Sequence, residues 1–392
     1  MKIVHLTYDD VHNPWLGGGG AQRTMDIYRK LTGDYRVNVI TGTYPGAREV
    51  TEGNRTQYRA GVVPGSNPSY AGYLLSRLSY TVGVWPHIRR LDFDLLVDDF
   101  SAYAPAFSYL CRKAPVILSV RNIFSTNILK KYGPLGLVHF FLERYLLRRY
   151  RYFVVNSRST RNALERILPT NNSCRIEMIP NGVDEKLFEV PEEKAVREDY
   201  ILYLGRIDVF QKGLDVLVEA YASLAAQRDD LPGLLVCGDG KDRLKLQREI
   251  HRRGLEQRIR LKGRVEGEQH RRYLRECLFV VIPSRFESWG NVALEASACG
   301  KAVLGTRIEG LSETIVDRET GVMVAPNNQV SLREGITELL DNKSLREHLG
   351  SRGRSRALDF TWTNVLAKRK SFYAEVVEHY AEVDSKRSGT HL

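Results

Sequence analysis

Two carboxylates flank the start of a predicted helix. Glu287 follows an apolar, strand-like run, and Glu295 lies one to two turns into a helix that begins near Gly290. The first N–H groups of a helix have no partner inside it and carry the positive end of its dipole, so they can hold a phosphate. A phosphate on the amides of Gly290, Asn291 and Val292 would let Glu295 accept hydrogen bonds from a ribose diol and Glu287 from sugar hydroxyls. This pattern favours a nucleotide-sugar site; the alternative is a loop acid and a solvated helix acid.

Two cations occupy a second predicted strand-to-helix turn. Arg206 ends the apolar run 201–205, and Lys212 immediately precedes a helix that begins near Gly213. Two positive charges at such a turn match a diphosphate, including one that departs during group transfer. The alternative is a surface Arg and Lys beside an ordinary turn.

A run of glycines follows the first predicted strand. Residues 17–20 are all glycine and open a helix, and Gln22 and Arg23 add hydrogen-bond donors. Glycines at Gly19 and Gly20 expose backbone amides to a ligand at low steric cost. Their contiguous spacing differs from G-x-G-x-x-G, so the run is not a dinucleotide fingerprint. A mobile loop is the alternative.

A pair of aspartates ends another predicted strand in the first half. The carboxylate of Asp99, next to Asp98, could accept hydrogen bonds from an acceptor hydroxyl or serve as a base. The alternative is that Asp99 or Ser101 caps a helix predicted over 102–113.

Short runs of Val, Ile and Leu alternate with longer amphipathic segments in both halves of the chain, which predicts parallel sheets covered by helices. Strands are expected at 2–8, 37–41, 95–98, 116–120, 153–156 and 176–180, and again at 201–205, 233–237, 259–263, 279–283, 302–305 and 321–324. We expect an α/β protein with two doubly wound, Rossmann-like domains facing across a cleft, where the carboxyl ends of both sheets meet. The predicted domains are 1–190 and 200–360, joined by a linker at 191–199. The helical pattern of 330–383 ends in a C-terminal helix, 361–392, expected to cross back to the first domain.

Composition and charge restrict the function further. The 392 residues contain 43% hydrophobic and 27% charged residues, which excludes collagen-like, disordered and disulfide-scaffold classes. No apolar run approaches the ~20 residues of a membrane-spanning helix, and no signal peptide is recognised. Five widely spaced cysteines without a C-x-x-C pair indicate a reducing, cytoplasmic environment.

The positive charge is concentrated in the first half of the chain. Residues 1–190 hold 25 Lys and Arg against 16 Asp and Glu, whereas residues 191–392 hold 33 against 31. A basic, aromatic helix over 139–151 could lie on an anionic membrane with Phe140, Phe141, Tyr145 and Leu146 toward lipid. The alternative is an ordinary helix whose apolar face covers the sheet.

Three motifs together resemble the retaining glycosyltransferases of family 4, which have the GT-B fold. They are Pro-Asn-Gly-Val-Asp at 180–184, Gly-Arg at 205–206 with Lys-Gly at 212–213, and the two glutamates at 287 and 295 leading to Ala-Cys-Gly at 298–300. The resemblance covers nearly the whole chain.

The resemblance implies a role for each matched position. Arg206 and Lys212 would neutralise the donor diphosphate, Glu287 would lie over the donor sugar, and Glu295 would bind the ribose. Backbone amides at Gly290, Asn291 and Val292 would meet the diphosphate, and the loop at Gly19 and Gly20 would close on donor and acceptor. Ser157 and Arg158 would line the cleft from the first domain.

One position departs from the family pattern. Many members have a histidine after the strand at 116–120, where this chain has Arg121. An arginine is not a general base, but it can bind an anionic group, so it hints at an acidic acceptor.

We therefore predict a retaining transferase that moves a sugar from a nucleoside diphosphate sugar to an acceptor hydroxyl on a saccharide or lipid carrier. No cofactor and no metal are expected, because the histidines have no ligand spacing. The protein would be cytoplasmic, with a peripheral membrane contact in view of its basic first half. The alternatives are an epimerase or phosphorylase of the same fold, and a non-catalytic polyanion-binding protein. No nucleic-acid motif is present, and the sequence does not indicate an oligomeric state.

Overall fold

The computed structural model describes residues 1–13, 19–31, 33, 35–63, 70–101, 104–123, 136–169, 173–189 and 200–388. The predicted linker at 191–199 and the first part of the glycine run lie outside the described residues. The chain divides into an N-terminal unit, Met1–Pro180 with Val365–Leu392, and a C-terminal unit, Asn181–Asn364. The change of unit therefore falls at residues 180–181, before the predicted linker.

The N-terminal unit contains an eight-stranded sheet of order β3-β4-β2-β1-β5-β6-β7-β8. Every strand pair in it is parallel except β3 with β4. Branched apolar side chains make most of these strands buried on both faces, as a sheet covered by helices requires. The strands are β1 (Lys2–Leu6), β2 (Arg36–Gly42), β3 (Val50–Glu52), β4 (Arg55–Ala60), β5 (Leu95–Asp99), β6 (Val116–Val120), β7 (Tyr152–Val155) and β8 (Arg175–Met178). The helices are α1 (Gly19–Lys30), α2 (Tyr70–Arg90), α3 (Gly136–Leu147) and α4 (Arg158–Glu165).

The C-terminal unit contains a six-stranded, wholly parallel sheet of order β11-β10-β9-β12-β13-β14. Its strands are β9 (Tyr200–Leu204), β10 (Gly233–Cys237), β11 (Ile259–Gly263), β12 (Phe279–Ile282), β13 (Ala302–Thr306) and β14 (Val322–Val324). Its helices are α5 (Leu214–Ala225), α6 (Arg243–Arg252), α7 (Gly267–Glu276), α8 (Asn291–Ala298), α9 (Glu309–Ser312), α10 (Gln329–Asp341) and α11 (Lys343–Ala357). The two units confirm the predicted α/β class with two Rossmann-like domains.

The last helix, α12 (Trp362–Ser388), supplies most of its length to the N-terminal unit. His379 Nδ1 lies 2.7 Å from the hydroxyl oxygen of Tyr152, and the Tyr380 hydroxyl donates to the Arg112 carbonyl at 3.2 Å. Phe372, Tyr373 and Val376 are buried as well. The C-terminal segment is therefore part of the first core.

Two predicted helices differ from the structure, and two observed strands were not predicted. The helix predicted over 102–113 is wrong: the described residues from 104 onward contain only a 3₁₀ turn, Ser108–Leu110, because Pro105 and the left-handed Phe107 (φ 51°) interrupt the helix. The helical tail is interrupted at Asn342, whose side chain caps α11, and at a 3₁₀ turn, Leu358–Phe360. The strands β3 and β4 were not predicted, because their sequences are polar.

In the parallel part of each sheet the strand order reverses at one place, and ligands of open α/β sheets bind in the crevice at such a switch point. In the C-terminal sheet the switch lies between β9 and β12, the two strands that precede Arg206 and Glu287. In the N-terminal sheet it lies between β1 and β5, and Asp99 ends β5. The fold thus places Arg206, Glu287 and Asp99 at the two switch points.

Gly213 provides a test of how tightly the C-terminal switch point is packed. Its φ is +64°, and a Cβ there would lie 2.0 Å from the Pro283 carbonyl oxygen, whereas Gly254 has the same φ with open space around it. Gly254→Ala should cost about 1 kcal/mol of unfolding free energy from backbone strain alone. Gly213→Ala should cost at least about 3 kcal/mol, because the clash is with backbone. Urea denaturation measures both; equal losses would contradict the packing described.

Candidate active site at the strand ends

The turn after β9 is held directly against the turn after β12. The Arg285 N–H donates to the Gln211 carbonyl at 2.9 Å, and the Arg285 guanidinium donates to the Phe210 carbonyl at 2.7 Å. The same guanidinium binds both carboxylate oxygens of Asp215, at the start of α5, at 2.8 and 2.9 Å. Such a bidentate pair fixes orientation as well as distance. The two turns that carry the predicted cations and the predicted acid therefore form one surface.

Lys212 and Glu287 form an ion pair across these two turns. Both side chains are more than four-fifths buried, and Ser284 Oγ donates to the same Glu287 oxygen at 3.0 Å. The sequence predicts that Lys212 binds a diphosphate and that Glu287 binds sugar hydroxyls, and the structure brings these two side chains together. Glu287 thus orients the ammonium group, and its second carboxylate oxygen is the one left for another ligand.

Arg206 is exposed beside this pair. Its guanidinium donates to Gln211 Oε1, a neutral partner, at 2.9 Å, and its charge also acts on the Asp208 carboxylate. The Tyr203 hydroxyl donates to the Arg206 carbonyl at 2.9 Å and fixes the backbone after β9. The turn therefore presents one exposed guanidinium next to one paired ammonium group.

Helix α8 begins where the sequence predicts, with Gly290 as its N-cap. A Cβ at Gly290 would lie 2.6 Å from Thr314 Oγ1, so packing requires this glycine whether or not a phosphate approaches it. The Asn291 N–H donates to the Trp289 carbonyl at 3.1 Å, and the Asn291 side chain accepts from buried Asn181 at 2.6 Å. Of the amides predicted to bind an anion, that of Asn291 thus has an internal partner. Val292 is half-buried against the core of the unit.

Glu295 lies on α8 beside a histidine that the sequence analysis did not assign to the site. His270 Nε2 lies 3.2 Å from a Glu295 carboxylate oxygen. Burial opposes protonation of His270, but its hydrogen bond to Glu295 and that group's charge outweigh burial and raise the pKa of His270. No sequence signal links the two residues, because they come from different helices.

Asp99 is the centre of a polar network at the N-terminal switch point. Its Oδ2 atom accepts from Thr24 on α1 at 2.9 Å, lies 3.0 Å from His5 Nε2 and pairs with Arg121 after β6. Burial disfavours the Asp99 carboxylate, but the charges of Arg121 and His5 lower its pKa well below the usual range. The structure thus joins two predicted residues, Asp99 and Arg121, and Asp99 is not a helix cap.

The neighbouring carboxylate has a different environment. Asp98 is buried, and its Oδ2 atom accepts from the hydroxyls of Ser108 at 2.5 Å and Tyr150 at 3.4 Å. Burial, with the charge of Asp99 as a further cause, raises the pKa of Asp98 to about 7 in spite of these hydrogen bonds. The adjacent aspartates therefore do not act as a pair.

The other predicted residues of this unit occupy helix starts. Gly19 and Gly20 are the first two residues of α1. Ser157 is fully buried and caps α4 by accepting from the Thr160 N–H at 3.0 Å, which explains its presence structurally. Arg158 is the exposed first residue of that helix.

Two family models match adjacent parts of the chain. The one described as "Glycosyltransferase Family 4" matches residues 17–187, and the one described as "Glycosyl transferases group 1" matches residues 184–356. The chain belongs to the family 4 glycosyltransferases with the GT-B fold. The two matches together include every residue of the predicted site.

Individual relatives of this glycosyltransferase are distant. A D-inositol 3-phosphate glycosyltransferase of Paenarthrobacter aurescens is 33% identical over 214 residues, 52% of this chain and 52% of the relative. The chain spans about half the length of the curated relatives it matches.

Solved structures match over nearly the full length. A sucrose-phosphate synthase of Thermosynechococcus elongatus covers 97% of this chain and 100% of its own with a TM-score of 0.81 at 20% identity. An Anabaena protein solved with UDP and glucose covers 96% and 100% with a TM-score of 0.74 at 18% identity. At these identities the likeness establishes the fold.

Among the described residues, no helix has both the length and the apolar character that crossing a bilayer requires. Nor do the described ranges bring three His, Cys, Asp or Glu side chains together as a set of metal ligands.

The contrast between Asp98 and Asp99 predicts a pH dependence of stability. Since the pKa of Asp98 is raised from 3.8 to about 7 by folding, the folded state holds a proton that the unfolded chain releases, and this contribution is lost as pH rises from about 4 to 7. Asp98→Asn keeps a neutral side chain at every pH and should remove that loss. Urea unfolding at pH 4.5 to 7.5 measures the pH dependence of the unfolding free energy, and Asp229→Asn, at an exposed position, is the control. Parallel curves for wild type and Asp98→Asn would contradict a neutral Asp98.

Proposed function

We propose that this glycosyltransferase transfers a sugar from a nucleoside diphosphate sugar to an acceptor hydroxyl with retention at the anomeric carbon. The observation that carries the proposal is the joined surface at the β9–β12 switch point, where Lys212 pairs with Glu287 and the exposed Arg206 follows β9. The Anabaena structure with UDP and glucose supports a nucleotide-sugar donor, and the inositol phosphate relative supports a polyol or saccharide acceptor. No residue that the site requires is a metal ligand in this proposal.

The chemistry follows from the charges at these turns. As the bond between sugar and diphosphate breaks, negative charge accumulates on the departing phosphate, and preorganised cations stabilise it more than they stabilise the intact donor. Arg206 has only a neutral partner, so it can turn to the phosphate without breaking an ion pair. Lys212 is held in place by Glu287, whose remaining oxygen is available to donor sugar hydroxyls. Glu295 would accept from the ribose, and His270 would orient it.

Binding and transfer assays test this assignment. A panel of nucleoside diphosphates and their sugars, screened by thermal shift, should contain a ligand that raises the unfolding midpoint, because it binds only the folded state. Glu295→Ala should weaken that ligand about tenfold or more, through loss of a charged hydrogen-bond acceptor. Arg206→Ala and Lys212→Ala should mainly lower kcat, by about 100-fold.

The matched controls are Arg352→Ala and Lys343→Ala, which remove exposed cations from α11 of the same unit. NMR of the product should show the anomeric configuration of the donor. Unchanged turnover in all three site variants would refute the site. A free or epimerised sugar without transfer would favour the phosphorylase or epimerase alternative.

A membrane contact is a separate part of the proposal. Helix α3 exposes a stripe of large apolar side chains: Leu137, Val138, Phe141 and Tyr145. Exposed Arg148 and Arg149 follow it, which suits an anionic lipid surface. The predicted lipid-facing set is corrected in two places: Leu146 is buried, and Phe140 is half-buried with the Arg144 guanidinium 3.6 Å from its ring centre.

Vesicle sedimentation tests the contact. At low salt the protein should sediment with vesicles containing phosphatidylglycerol and remain in solution with phosphatidylcholine alone. Phe141→Ser should reduce the bound fraction several-fold, because it removes apolar area from the stripe. Leu244→Ser, an equally exposed position on α6, should not. Equally weak sedimentation with both kinds of vesicle would exclude the contact.

A further inference from the structure

Arg23 lies on α1 at the N-terminal switch point, next to Thr24, whose hydroxyl donates to Asp99. Arg121 binds Asp99 and Thr24 from the end of β6. The Asp99 Oδ2 atom is thus already shared by Thr24, Arg121 and His5. The Asp99 Oδ1 atom is buried and has no hydrogen-bond partner among the described residues, so it does not accept from Arg23 either.

The guanidinium of Arg23 is short of partners. Its Nε atom is buried and has no hydrogen-bond partner among the described residues. Buried donors without partners are rare and costly, and a buried charge is normally paired. A bound ligand with an acceptor atom would satisfy this donor.

The charges around Arg23 leave an excess of positive charge. The groups that act most strongly on it are Arg121, Asp99 and Arg369, two cations and one anion. The Asp9 carboxylate interacts electrostatically with Arg121 and with Arg77. Asp9 and Arg77 therefore add one negative and one positive charge to the cluster. Burial, followed by the charge of Arg121, lowers the pKa of the Arg23 guanidinium. Four arginines thus face two aspartates where the sheet order reverses.

We infer that Arg23, together with Arg121, forms an anion-binding subsite of the N-terminal unit, and that the acceptor carries a phosphate or carboxylate group bound there. Guanidinium groups bind both kinds of anion through paired N–H donors. A bound anion would supply the acceptor that Arg23 Nε lacks and offset the excess charge. That the anion belongs to the acceptor substrate rests on the proposed function. The donor diphosphate is the second possible source of such an anion.

Inorganic phosphate is the probe that separates the two sources. Its binding is measured by thermal shift and calorimetry at constant ionic strength, with the nucleoside diphosphate from the donor screen present at saturation. Wild type should still bind phosphate under these conditions. Arg23→Gln should weaken phosphate about tenfold, through loss of a charged donor. Arg206→Gln, which removes a cation from the C-terminal unit, should leave phosphate binding unchanged.

Two results would overturn the inference. If saturating nucleoside diphosphate abolishes the phosphate response, or if Arg206→Gln removes it and Arg23→Gln does not, the anion is the donor diphosphate. Failure of the proposed function itself has a different signature, namely that no nucleoside diphosphate stabilises wild type.

The unliganded stability of the variant distinguishes binding from a structural role. Removing an uncompensated buried cation relieves its desolvation cost, so Arg23→Gln should melt at or above the wild-type midpoint when no anion is present. Added phosphate should then raise the midpoint of wild type above that of the variant. A midpoint below wild type, with an unchanged phosphate affinity, would make Arg23 a structural residue and refute the subsite. Arg23→Lys keeps the charge without the planar donor pair and should bind phosphate with intermediate affinity.

Discussion

The close approach of two strand-to-helix turns is the constraint on which the C-terminal site depends. Gly213 packs against the Pro283 carbonyl, and Arg285 joins the same turns through its backbone N–H and its guanidinium. Because β9 and β12 are neighbours at the switch point, their turns meet, and only a residue without a side chain fits where they touch. The pair Lys212–Glu287 spans this junction. The close backbone contact between Gly213 and Pro283 therefore allows Lys212 and Glu287 to pair.

The C-terminal site satisfies most of its polar groups internally. Lys212 has Glu287, Arg206 has Gln211, and Glu295 has His270. Such partners hold side chains in one orientation before a ligand arrives, which lowers the reorganisation needed during reaction. A diphosphate that binds Arg206 then has to displace only the neutral Gln211 side chain from the guanidinium. The more buried Lys212 keeps its place beside Glu287.

The N-terminal switch point follows a different principle. The Oδ2 atom of its main carboxylate, Asp99, is shared by Thr24, Arg121 and His5, whereas Oδ1 has no hydrogen-bond partner among the described residues. The arginines around Asp99 outnumber the aspartates. Helix α12 contributes to this imbalance, because Arg369 is buried there and donates to the Tyr373 hydroxyl at 3.2 Å. The C-terminal segment of the chain thus influences the charge of a site formed mainly by the first 121 residues. The order of the motifs along the chain does not predict this effect of Arg369.

Predictions from the sequence were accurate where the signal is local. Apolar runs of four to seven residues identified the buried strands, since a strand covered on both faces must be apolar throughout. Glycine at the start of α8 and the basic residues around α5 were found in the same way. Errors arose where a local preference opposed the tertiary context: the polar strands of β3 and β4 pair at a sheet edge, and the segment with Pro105 and Phe107 does not form a helix despite its apolar spacing.

Local sequence patterns suffice to predict the α/β class, the two sheets and the positions after strands where the candidate site residues occur, because periodicity and strand ends are properties of short segments. Which of those residues meet depends on the tertiary fold. The pairs Lys212 with Glu287, Glu295 with His270 and Asp99 with Arg121 each join side chains from different elements. The environment of Arg23, whose Nε atom is buried without a hydrogen-bond partner among the described residues, likewise depends on packing. Burial and partner choice depend on long-range packing, which no local pattern contains.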